Sequence, residues 1–316
     1  MKLIIQIPCY NEAQTLPQTI EDLPRTIEGI DQIEFLVIDD GSNDDTSQVA
    51  TEMGVDHLIQ LHRNLGLAKA FSTGIEAALK LGADIIVNTD GDNQYCGQDV
   101  AKLIRPILDG RADMVIGDRQ TDTIKHFSKT KKLLQKLGSW VVRKISGLNI
   151  PDTTSGFRAY SRKGAQQLVV FSGYTYTLET IIQAGKKGLA VSHVPIATNR
   201  ELRKSRLIKS IPHYIWKSMV TMALVFLMYE ALRIFVILSL ILFGGGFLIS
   251  LRFLYFYMVH QGQGHVQSLI LAAILFILGF QSFMLGVVTN LIGNNRHLNE
   301  DIHYRLRRLE YDKVDR

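Results

Sequence analysis

A short apolar run at residues 85–87 leads into two carboxylates, Asp90 and Asp92, which are separated by Gly91. The run consists of isoleucine and valine, which is typical of a strand buried on both faces of a parallel sheet. Open α/β sheets bind ligands at the carboxyl ends of their strands, so the pattern places both carboxylates at a ligand-binding edge. Carboxylates about 5 Å apart repel by roughly 3 kcal/mol at an effective dielectric near 20, and a divalent cation with oxygen ligands would offset this repulsion. On these three residues alone, an acidic turn hinged at the glycine is an equally good interpretation.

The chain before this run repeats an alternation of strands and helices. Apolar runs at 2–7, 35–38 and 58–61 predict three further strands, and the stretches between them predict helices. A β-α-β-α-β-α-β series predicts a doubly wound, mainly parallel sheet. The second strand ends in Asp39 and Asp40, so a second acidic cluster reaches the same edge. Such an edge is typical of an active-site crevice.

Two common nucleotide-binding motifs are missing from the sequence. The first β-α turn reads Pro-Cys-Tyr-Asn-Glu at 8–12, where a dinucleotide-binding Rossmann domain needs G-x-G-x-x-G. No P-loop sequence occurs either. The sequence therefore excludes both of these nucleotide-binding classes.

Cysteines and charges indicate where the protein works. Cys9 and Cys96 are too few and too irregular for a disulfide framework or a zinc site, so we expect reduced thiols facing the cytoplasm. The net charge is +5, and Lys and Arg gather at 200–217 and 296–316. Basic residues beside apolar runs favour anionic lipid headgroups over nucleic acid. The N-terminus predicts no signal peptide, because its apolar run is short and stops at Pro8.

Two long apolar runs, 234–257 and 266–292, predict transmembrane helices, because roughly 20 helical residues cross the hydrocarbon core. The alternative is two buried core helices, which would need a partner surface that this chain does not supply. Residues 213–233 mix Lys, Glu and Arg with large apolar side chains, which predicts an amphipathic helix at the membrane surface. Both spans have basic outer flanks, whereas the connector 260–265 has no Lys or Arg, so the positive-inside rule places both termini in the cytoplasm.

Several motifs, taken in order, resemble the family 2 glycosyltransferases with the GT-A fold. They are Ile-Pro-Cys-Tyr-Asn-Glu at 7–12, Val-Ile-Asp-Asp-Gly-Ser at 37–42 and Asp-Gly-Asp-x-Gln at 90–94. Later motifs are similar to the polyprenyl-phosphate glycosyltransferases, the group that includes dolichyl-phosphate mannose synthase and bacterial undecaprenyl-phosphate sugar transferases. They are Gly-Asp-Arg at 117–119, Thr-Ser-Gly-Phe-Arg at 154–158, Asn-Arg at 199–200 and Ser-Arg-Leu at 205–207.

The resemblance implies roles for residues at matching positions. Nucleoside contacts would come from Pro8, Tyr10, Glu12 and Asp39 or Asp40. The resemblance implies that Asp90, Asp92 and Gln94 bind Mg²⁺ or Mn²⁺ and the diphosphate. It makes Asp92, Arg119, Arg200 and Arg206 catalytic, since fixed cations stabilise a leaving nucleoside diphosphate. It adds Ser155, Arg158 and Lys132 as substrate contacts. Arg158 could instead be an ordinary salt-bridge partner. Lys131-Lys132 replaces an Arg pair of the relatives and could belong to a solvated helix face, so an acceptor contact there stays open.

The resemblance implies a GT-A domain at 1–212. The composition of the later chain adds a juxtamembrane amphipathic helix at 213–233, a two-helix transmembrane hairpin at 234–292 and a basic cytoplasmic tail at 293–316. The expected protein is a metal-dependent, inverting glycosyltransferase integral to a bacterial or archaeal inner membrane, or to an ER-type membrane. Its expected donor is a UDP- or GDP-sugar and its acceptor a polyprenyl phosphate, undecaprenyl or dolichyl. The product would be a polyprenyl-phosphate-sugar for cell-envelope glycan or glycoprotein modification. A homo-oligomer stays open, and no nucleic-acid partner is expected.

Two other functions stay open. A processive polysaccharide synthase would carry Gln-x-x-Arg-Trp on a helix at the membrane, but neither Trp140 nor Trp216 follows an arginine. A non-catalytic membrane adaptor on a transferase fold would be expected to lose its metal ligands, yet Asp90, Asp92 and Gln94 are all present.

Overall fold

The computed structural model describes residues 1–120, 140, 142–170, 176–199, 211–260 and 266–311. The chain forms two units, one made of residues 1–217 and 300–316 and the other of residues 218–299. The first boundary lies five residues beyond the expected one at 212. The second differs more, because residues 300–316 belong to the first unit, whereas the sequence analysis assigned 293–316 to a tail.

The first unit is built on a seven-stranded mixed sheet with the order β3-β2-β1-β4-β6-β5-β7. The strands are β1 Lys2–Cys9, β2 Gln32–Asp39, β3 His57–Gln60, β4 Ile85–Asn88, β5 Met114–Asp118, β6 Arg158–Ser161 and β7 Val191–Pro195. β6 runs antiparallel to both of its neighbours, β4 and β5, and the other pairs are parallel. The predicted parallel half, β1 to β4, is confirmed.

Helices cover both faces of this sheet, which is why its central strands are nearly continuous apolar runs. The helices of the first unit are α1 Leu16–Asp22, α2 Thr46–Glu52, α3 Leu67–Lys80, α4 Val100–Leu108, α5 Arg162–Gln167 and α6 Thr177–Lys186. In α3 the buried residues Phe71, Ile75, Ala78 and Leu79 recur at three- and four-residue spacing and form one apolar stripe. Packing of such stripes on the sheet fixes the strand ends, and therefore the loops that follow them.

The second unit contains most of two long helices, α7 Ile211–His260 and α8 Val266–Tyr311. α7 is interrupted at Glu230, whose backbone is not helical. The predicted change from surface helix to membrane span at 233–234 therefore lies near a real break in the helix.

Small residues form the seam between the two helices. A methyl group on Gly286 would lie 2.9 Å from Cβ of Phe235, and one on Gly246 would lie 3.2 Å from the carbonyl oxygen of Ala272. The Ser282 hydroxyl donates to the carbonyl of Phe235 at 3.3 Å. Close backbone approach through small residues is the usual packing of helices in membranes.

Large apolar side chains lie on the outside of this helix pair. Leu240, Leu248, Met258 and Ile292 are each more than 60% exposed, which is the reverse of a water-soluble core. Two stretches, Glu230–Val259 and Val266–Tyr311, are long and apolar enough to cross a membrane.

Candidate active site

Three parallel strands bring the predicted site loops to one edge of the sheet. β2, β1 and β4 are neighbours, and Cys9 at the end of β1 pairs with Asp39 at the end of β2. β4 ends at Asn88, whose register partner on β1 is Gln6. The turns that follow these strands therefore lie side by side, as expected for the carboxyl edge of a parallel sheet.

We call residues 90–95 the carboxylate loop, and its turn is held by threonines of the first helix. The carbonyl of Gly91 accepts hydrogen bonds from the hydroxyls of Thr15 at 2.8 Å and Thr19 at 3.2 Å. A methyl group on Gly91 would lie 2.8 Å from the Cys9 sulfur. A larger residue would displace the Cys9 thiol or the loop, so the glycine lets the carboxylate loop lie close to the end of β1.

The pKa of Asp90 is strongly shifted by its surroundings. Burial, and next the nearby Asp92 carboxylate, raise the pKa of Asp90 to about 7, although Arg119 and a hydrogen bond from Tyr95 act in the opposite direction. Burial and the Asp90 charge raise the pKa of Tyr95 well above its usual value, so the phenol keeps its proton. Ionisation of such a buried carboxylate is unfavourable without a partner, and a cation bound beside it would make the ionised form more stable.

Tyr95 joins the carboxylate loop to the Thr-Ser-Gly turn. Its hydroxyl accepts the N–H of Gly156 at 2.9 Å, and its ring stacks on Phe157 with centroids 5.1 Å apart. A methyl group on Gly156 would lie 2.9 Å from an Asp90 oxygen and 3.0 Å from the Tyr176 hydroxyl. The turn at 154–156 therefore forms one wall around Asp90.

Arg119 at the end of β5 is a member of the same site. Its guanidinium binds the buried Asp152 carboxylate through two hydrogen bonds, of 2.7 and 3.0 Å, and also donates to the Thr154 hydroxyl at 2.8 Å. Burial alone would raise the pKa of Asp152, but Arg119 holds it below its usual range. The arginine is thus fixed by Asp152 while its charge acts on Asp90.

The first acidic pair, Asp39 and Asp40, is buried and engaged with backbone groups. Asp40 accepts the N–H groups of Leu65 and Gly66, both at 2.8 Å, and so positions the start of α3. Asp39 accepts the N–H of Ser42 at 2.9 Å. Burial raises the pKa of Asp40. These bonds fix the two loops beside the crevice, a role that the sequence analysis did not assign to either residue.

The remaining residues of the first turn surround this edge. Pro8 is buried within β1, whereas Tyr10 is 37% exposed at the strand end. Glu12 is buried, and its carboxylate accepts the Thr15 hydroxyl at 2.8 Å. Of these three, Tyr10 has the exposure that a direct contact with a base or ribose requires.

Arg158 and Ser155 are both buried beside the Thr-Ser-Gly turn. Arg158 is 0% exposed and donates to the carbonyls of Thr153, Ser155 and Thr177 at 2.8–2.9 Å. It braces the Thr-Ser-Gly turn against the start of α6 from inside the protein, and its contact with a substrate stays a prediction. Ser155 is also fully buried, and its hydroxyl has no hydrogen-bond partner among the described residues.

Three predicted site residues, Lys132, Arg200 and Arg206, lie outside the described residues. Conversely, the structure adds members that the prediction omitted. Tyr95 directly follows the quoted Asp-Gly-Asp-x-Gln motif, and Asp152 stands two residues before Thr154, so proximity to a motif was their only sequence signal.

The donor set fits a hard divalent cation. Asp90 and Asp92 supply carboxylate oxygens, and Gln94 lies in the same loop with a partly exposed side chain. No cluster of three His, Cys, Asp or Glu side chains that could hold a metal occurs among the described residues. The protein would thus supply only part of the coordination sphere, leaving positions for phosphate oxygens and water, as is usual for Mg²⁺ sites.

The sheet order and site edge place the first unit among the GT-A glycosyltransferases. Glucosyl-3-phosphoglycerate synthase from Mycobacterium tuberculosis, solved with Mn²⁺, UDP-glucose and phosphoglyceric acid, has a TM-score of 0.54 at 19% identity. That match covers 70% of this chain and 79% of the solved chain. The same enzyme with Mg²⁺ and UDP gives a TM-score of 0.52 at 18% identity, covering 70% of this chain and 79% of that chain.

Residues 4–169 match the Glycosyl transferase family 2 domain. The chain belongs to this family and is a glycosyltransferase.

Its relatives include enzymes that act on lipid phosphates. Polyprenol monophosphomannose synthase from Mycolicibacterium smegmatis is 30% identical over 218 residues, which is 65% of this chain and 81% of that protein. Undecaprenyl-phosphate mannosyltransferase from Micrococcus luteus is 30% identical over 218 residues, 66% of this chain and 88% of that protein. UDP-N-acetylglucosamine–dolichyl-phosphate N-acetylglucosaminyltransferase from Methanococcus voltae is 30% identical over 213 residues, 61% of this chain and 83% of that protein.

Proposed function

We propose that this protein transfers a sugar from a nucleoside diphosphate sugar to a polyprenyl phosphate at a membrane surface. The observation that carries the proposal is that one chain joins a family 2 transferase unit to a helix pair with outward-facing apolar side chains. Such helices would hold the transferase unit at a membrane surface, where a lipid acceptor is found. The names of the relatives support the same acceptor class.

In the proposed reaction a phosphate oxygen of the lipid attacks the anomeric carbon of the sugar. The bond from that carbon to the β-phosphate oxygen breaks, and the nucleoside diphosphate leaves with the bonding electrons. A phosphate monoester is largely ionised at neutral pH, since its second pKa is about 6, so the attack needs no strong general base. Rate enhancement would come mainly from stabilising negative charge on the leaving group.

The residues of the site divide this work. Asp90, Asp92 and Gln94 would hold a divalent cation, which neutralises charge on the diphosphate when bound. Arg119, fixed by Asp152, keeps a positive charge beside the carboxylate loop. Tyr10 offers an exposed ring to the nucleoside at the end of β1. For Arg200 and Arg206, which lie outside the described residues, a phosphate-site role is proposed from the sequence motif alone.

We further propose that the catalytic unit faces the cytoplasm, where nucleotide sugars are available. Lys and Arg are concentrated before and after the two apolar stretches, while the connector has none. Mn²⁺ and Mg²⁺ are both compatible with oxygen donors, and either a UDP- or a GDP-sugar suits the proposal.

The direct test uses the full chain in detergent micelles with radiolabelled UDP-glucose, UDP-N-acetylglucosamine or GDP-mannose. Each donor is paired with undecaprenyl or dolichyl phosphate, with Mn²⁺ or with EDTA. We expect one donor to give a label in the organic phase that mild acid releases as free sugar. The co-product should be a nucleoside diphosphate, and EDTA should abolish transfer.

Asp92→Asn is the matched variant, because it keeps the side-chain size and removes the charge. It should keep the thermal unfolding midpoint within a few degrees and lose transfer by at least about a hundredfold, the usual cost of losing a main transition-state charge contact. Transfer to water-soluble acceptors alone, or full activity in EDTA, would contradict the proposal.

A further inference from the structure

Residues 196–199, which we call the latch, run alongside the end of the carboxylate loop. The N–H of Cys96 donates to the carbonyl of Ala197 at 3.3 Å, and the N–H of Asn199 donates to the carbonyl of Gln94 at 2.9 Å. Tyr95 and Thr198 form an isolated antiparallel bridge between these two bonds. A segment more than 100 residues away in sequence is thus paired with the loop that carries Asp90 and Asp92.

The side-chain amide of Asn199 adds further hydrogen bonds to this pairing. Its nitrogen lies 3.1 Å from the carbonyl oxygen of Tyr95, 3.3 Å from the amide oxygen of Asn93 and 3.2 Å from a carboxylate oxygen of Asp22. All three partners are acceptors. The position therefore requires a donor, and a side chain of the same shape without N–H groups would not replace it.

Two acidic residues, Asp22 and Asp99, anchor the latch and the chain that follows the carboxylate loop. Asp22 also accepts the N–H of Gly97 at 2.6 Å, and a methyl group on Gly97 would collide with the Asp22 backbone carbonyl. Asp99, which is buried, accepts the N–H of Ala197 at 2.6 Å. The latch is consequently tied to α1 and to the start of α4 as well as to the loop.

The carboxylate loop needs such a restraint. Asp90 and Asp92 stand two residues apart on this loop, and their negative charges repel each other. Asn93 adopts a positive φ of 56°, which is costly for a residue other than glycine. Repulsion and backbone strain both favour opening of the loop when no cation is present. The hydrogen bonds from the latch to the loop oppose that opening.

We propose that Asn199 is a positioning residue that holds the carboxylate loop in the geometry that binds a divalent cation with a nucleoside diphosphate. This inference rests on the proposed function for its ligand. Asn199 acts through the loop and does not touch the reacting atoms.

The test compares Asn199→Asp and Asn199→Ala with Thr198→Ala, a neighbouring change of an exposed side chain that leaves the backbone bridge intact. The first measurement is hydrogen exchange of the full chain without ligand. We expect faster exchange in residues 91–99 for both Asn199 variants, and more so for Asp, because it places a second carboxylate beside Asp22. Thr198→Ala should match the wild type. Unchanged exchange in both Asn199 variants would overturn the latch, whatever the activity of the protein.

The second measurement is Mn²⁺ binding in the presence of UDP or GDP, followed by electron paramagnetic resonance. We expect binding about tenfold weaker in Asn199→Ala, the usual effect of losing a buried hydrogen bond, and weaker still in Asn199→Asp. Exchanging the two groups, as Asp22→Asn with Asn199→Asp, restores a donor–acceptor pair and should recover part of the loss. If exchange rises but Mn²⁺ binding stays at the wild-type value, the positioning role is wrong. If the wild type binds no Mn²⁺ with either nucleotide, the proposed metal site fails, and the exchange result still decides whether the latch restrains the loop.

Discussion

At the scale of single residues, the negative charges of Asp90 and Asp92 are only partly balanced by nearby positive charge. Arg119 lies near Asp90, but its hydrogen bonds go to Asp152 and Thr154. Burial, and next the nearby Asp92 carboxylate, raise the pKa of Asp90, and the charge of Arg119 offsets this only in part. A bound divalent cation would remove this penalty, so cation binding and proton release should be coupled.

Stability in the absence of metal should reveal this coupling. The pKa of Asp90 is raised from 3.8 to about 7, so between these values the folded protein holds a proton that the unfolded chain has released. The resulting stabilisation is complete below about pH 4 and is lost as the pH rises through about 7. In EDTA, the unfolding midpoint of the wild type should therefore fall relative to that of Asp90→Asn between about pH 4 and about pH 7.

Calorimetry or tryptophan fluorescence would measure both midpoints. Asp45→Asn, at an exposed carboxylate of the neighbouring turn, is the control and should follow the wild type. Adding Mn²⁺ with a nucleoside diphosphate should raise the wild-type midpoint at high pH. Parallel curves for the wild type and Asp90→Asn would show that Asp90 ionises normally in the folded protein.

At the scale of elements, sequence reasoning was most reliable for the parallel strands. Most residues of β1, β2 and β4 are apolar because both faces of the sheet are covered, and the ends of these strands locate Asp39, Asp40, Asp90 and Asp92. The sequence analysis assigned no strand after residue 87. β6 has the sequence Arg-Ala-Tyr-Ser. Because one of its buried residues is an arginine, it lacks the hydrophobic pattern from which a buried strand is predicted.

The bracing role of Arg158 could not be predicted from the sequence for the same reason. An arginine beside a Thr-Ser-Gly turn looks identical whether it faces a phosphate or braces the turn from inside. Only the three-dimensional pairing of β6 between β4 and β5 buries it. Long-range pairing of this kind leaves no periodic signal in the sequence.

The end of α8 was missed on similar grounds. The sequence predicts a basic tail at 293–316, whereas residues 300–316 belong to the first unit. Glu300 pairs with Lys187 at 3.2 Å, and its side chain is only 2% exposed. Arg307 pairs with Glu76 at 3.0 Å and donates to the carbonyl of Leu168. A charged helix face gives the same pattern against water, headgroups or a protein surface.

Replacing either of two lysines that pair with the end of α8 should destabilise it by very different amounts. Lys187→Ala breaks an ion pair of 3.2 Å with the buried Glu300 carboxylate, which should cost about 3 kcal/mol of local stability. Lys80→Ala removes a pair with Glu310 at 3.9 Å whose side chains are both 59% exposed, and it should cost less than about 1 kcal/mol. Hydrogen exchange of residues 300–311 measures both costs. Equal protection in the two variants would mean that the Glu300 pair does not hold this end of the helix.

At the scale of the whole molecule, the helix pair decides which arrangements in a membrane are possible. Contacts within the second unit pair Phe235 with Gly286, Phe243 with Gly279 and Gly246 with Ala272. Residue numbers rise on one helix as they fall on the other, so the pair is an antiparallel hairpin. Both ends of the hairpin then lie on the same side of any membrane that it crosses, and both continue into the first unit.

The last prediction concerns the side of the membrane on which the two ends of the hairpin lie. The positive-inside rule counts Lys and Arg close to the spans, and here Lys209, Lys217 and Arg296 flank the outer ends while the connector at 260–265 has none. A cysteine placed at Gln263, with Cys9 and Cys96 changed to serine, should react in intact cells with a thiol reagent that does not cross membranes. A reporter joined after Arg316 should be active only on the cytoplasmic side, and a cysteine at the exposed Asp45 should be labelled only after lysis. The two cysteine sites are each other's control, because reagent access and expression are the same for both. Labelling at 45 in intact cells, with 263 protected until lysis, would reverse the orientation and place the catalytic unit away from the pool of nucleotide sugars.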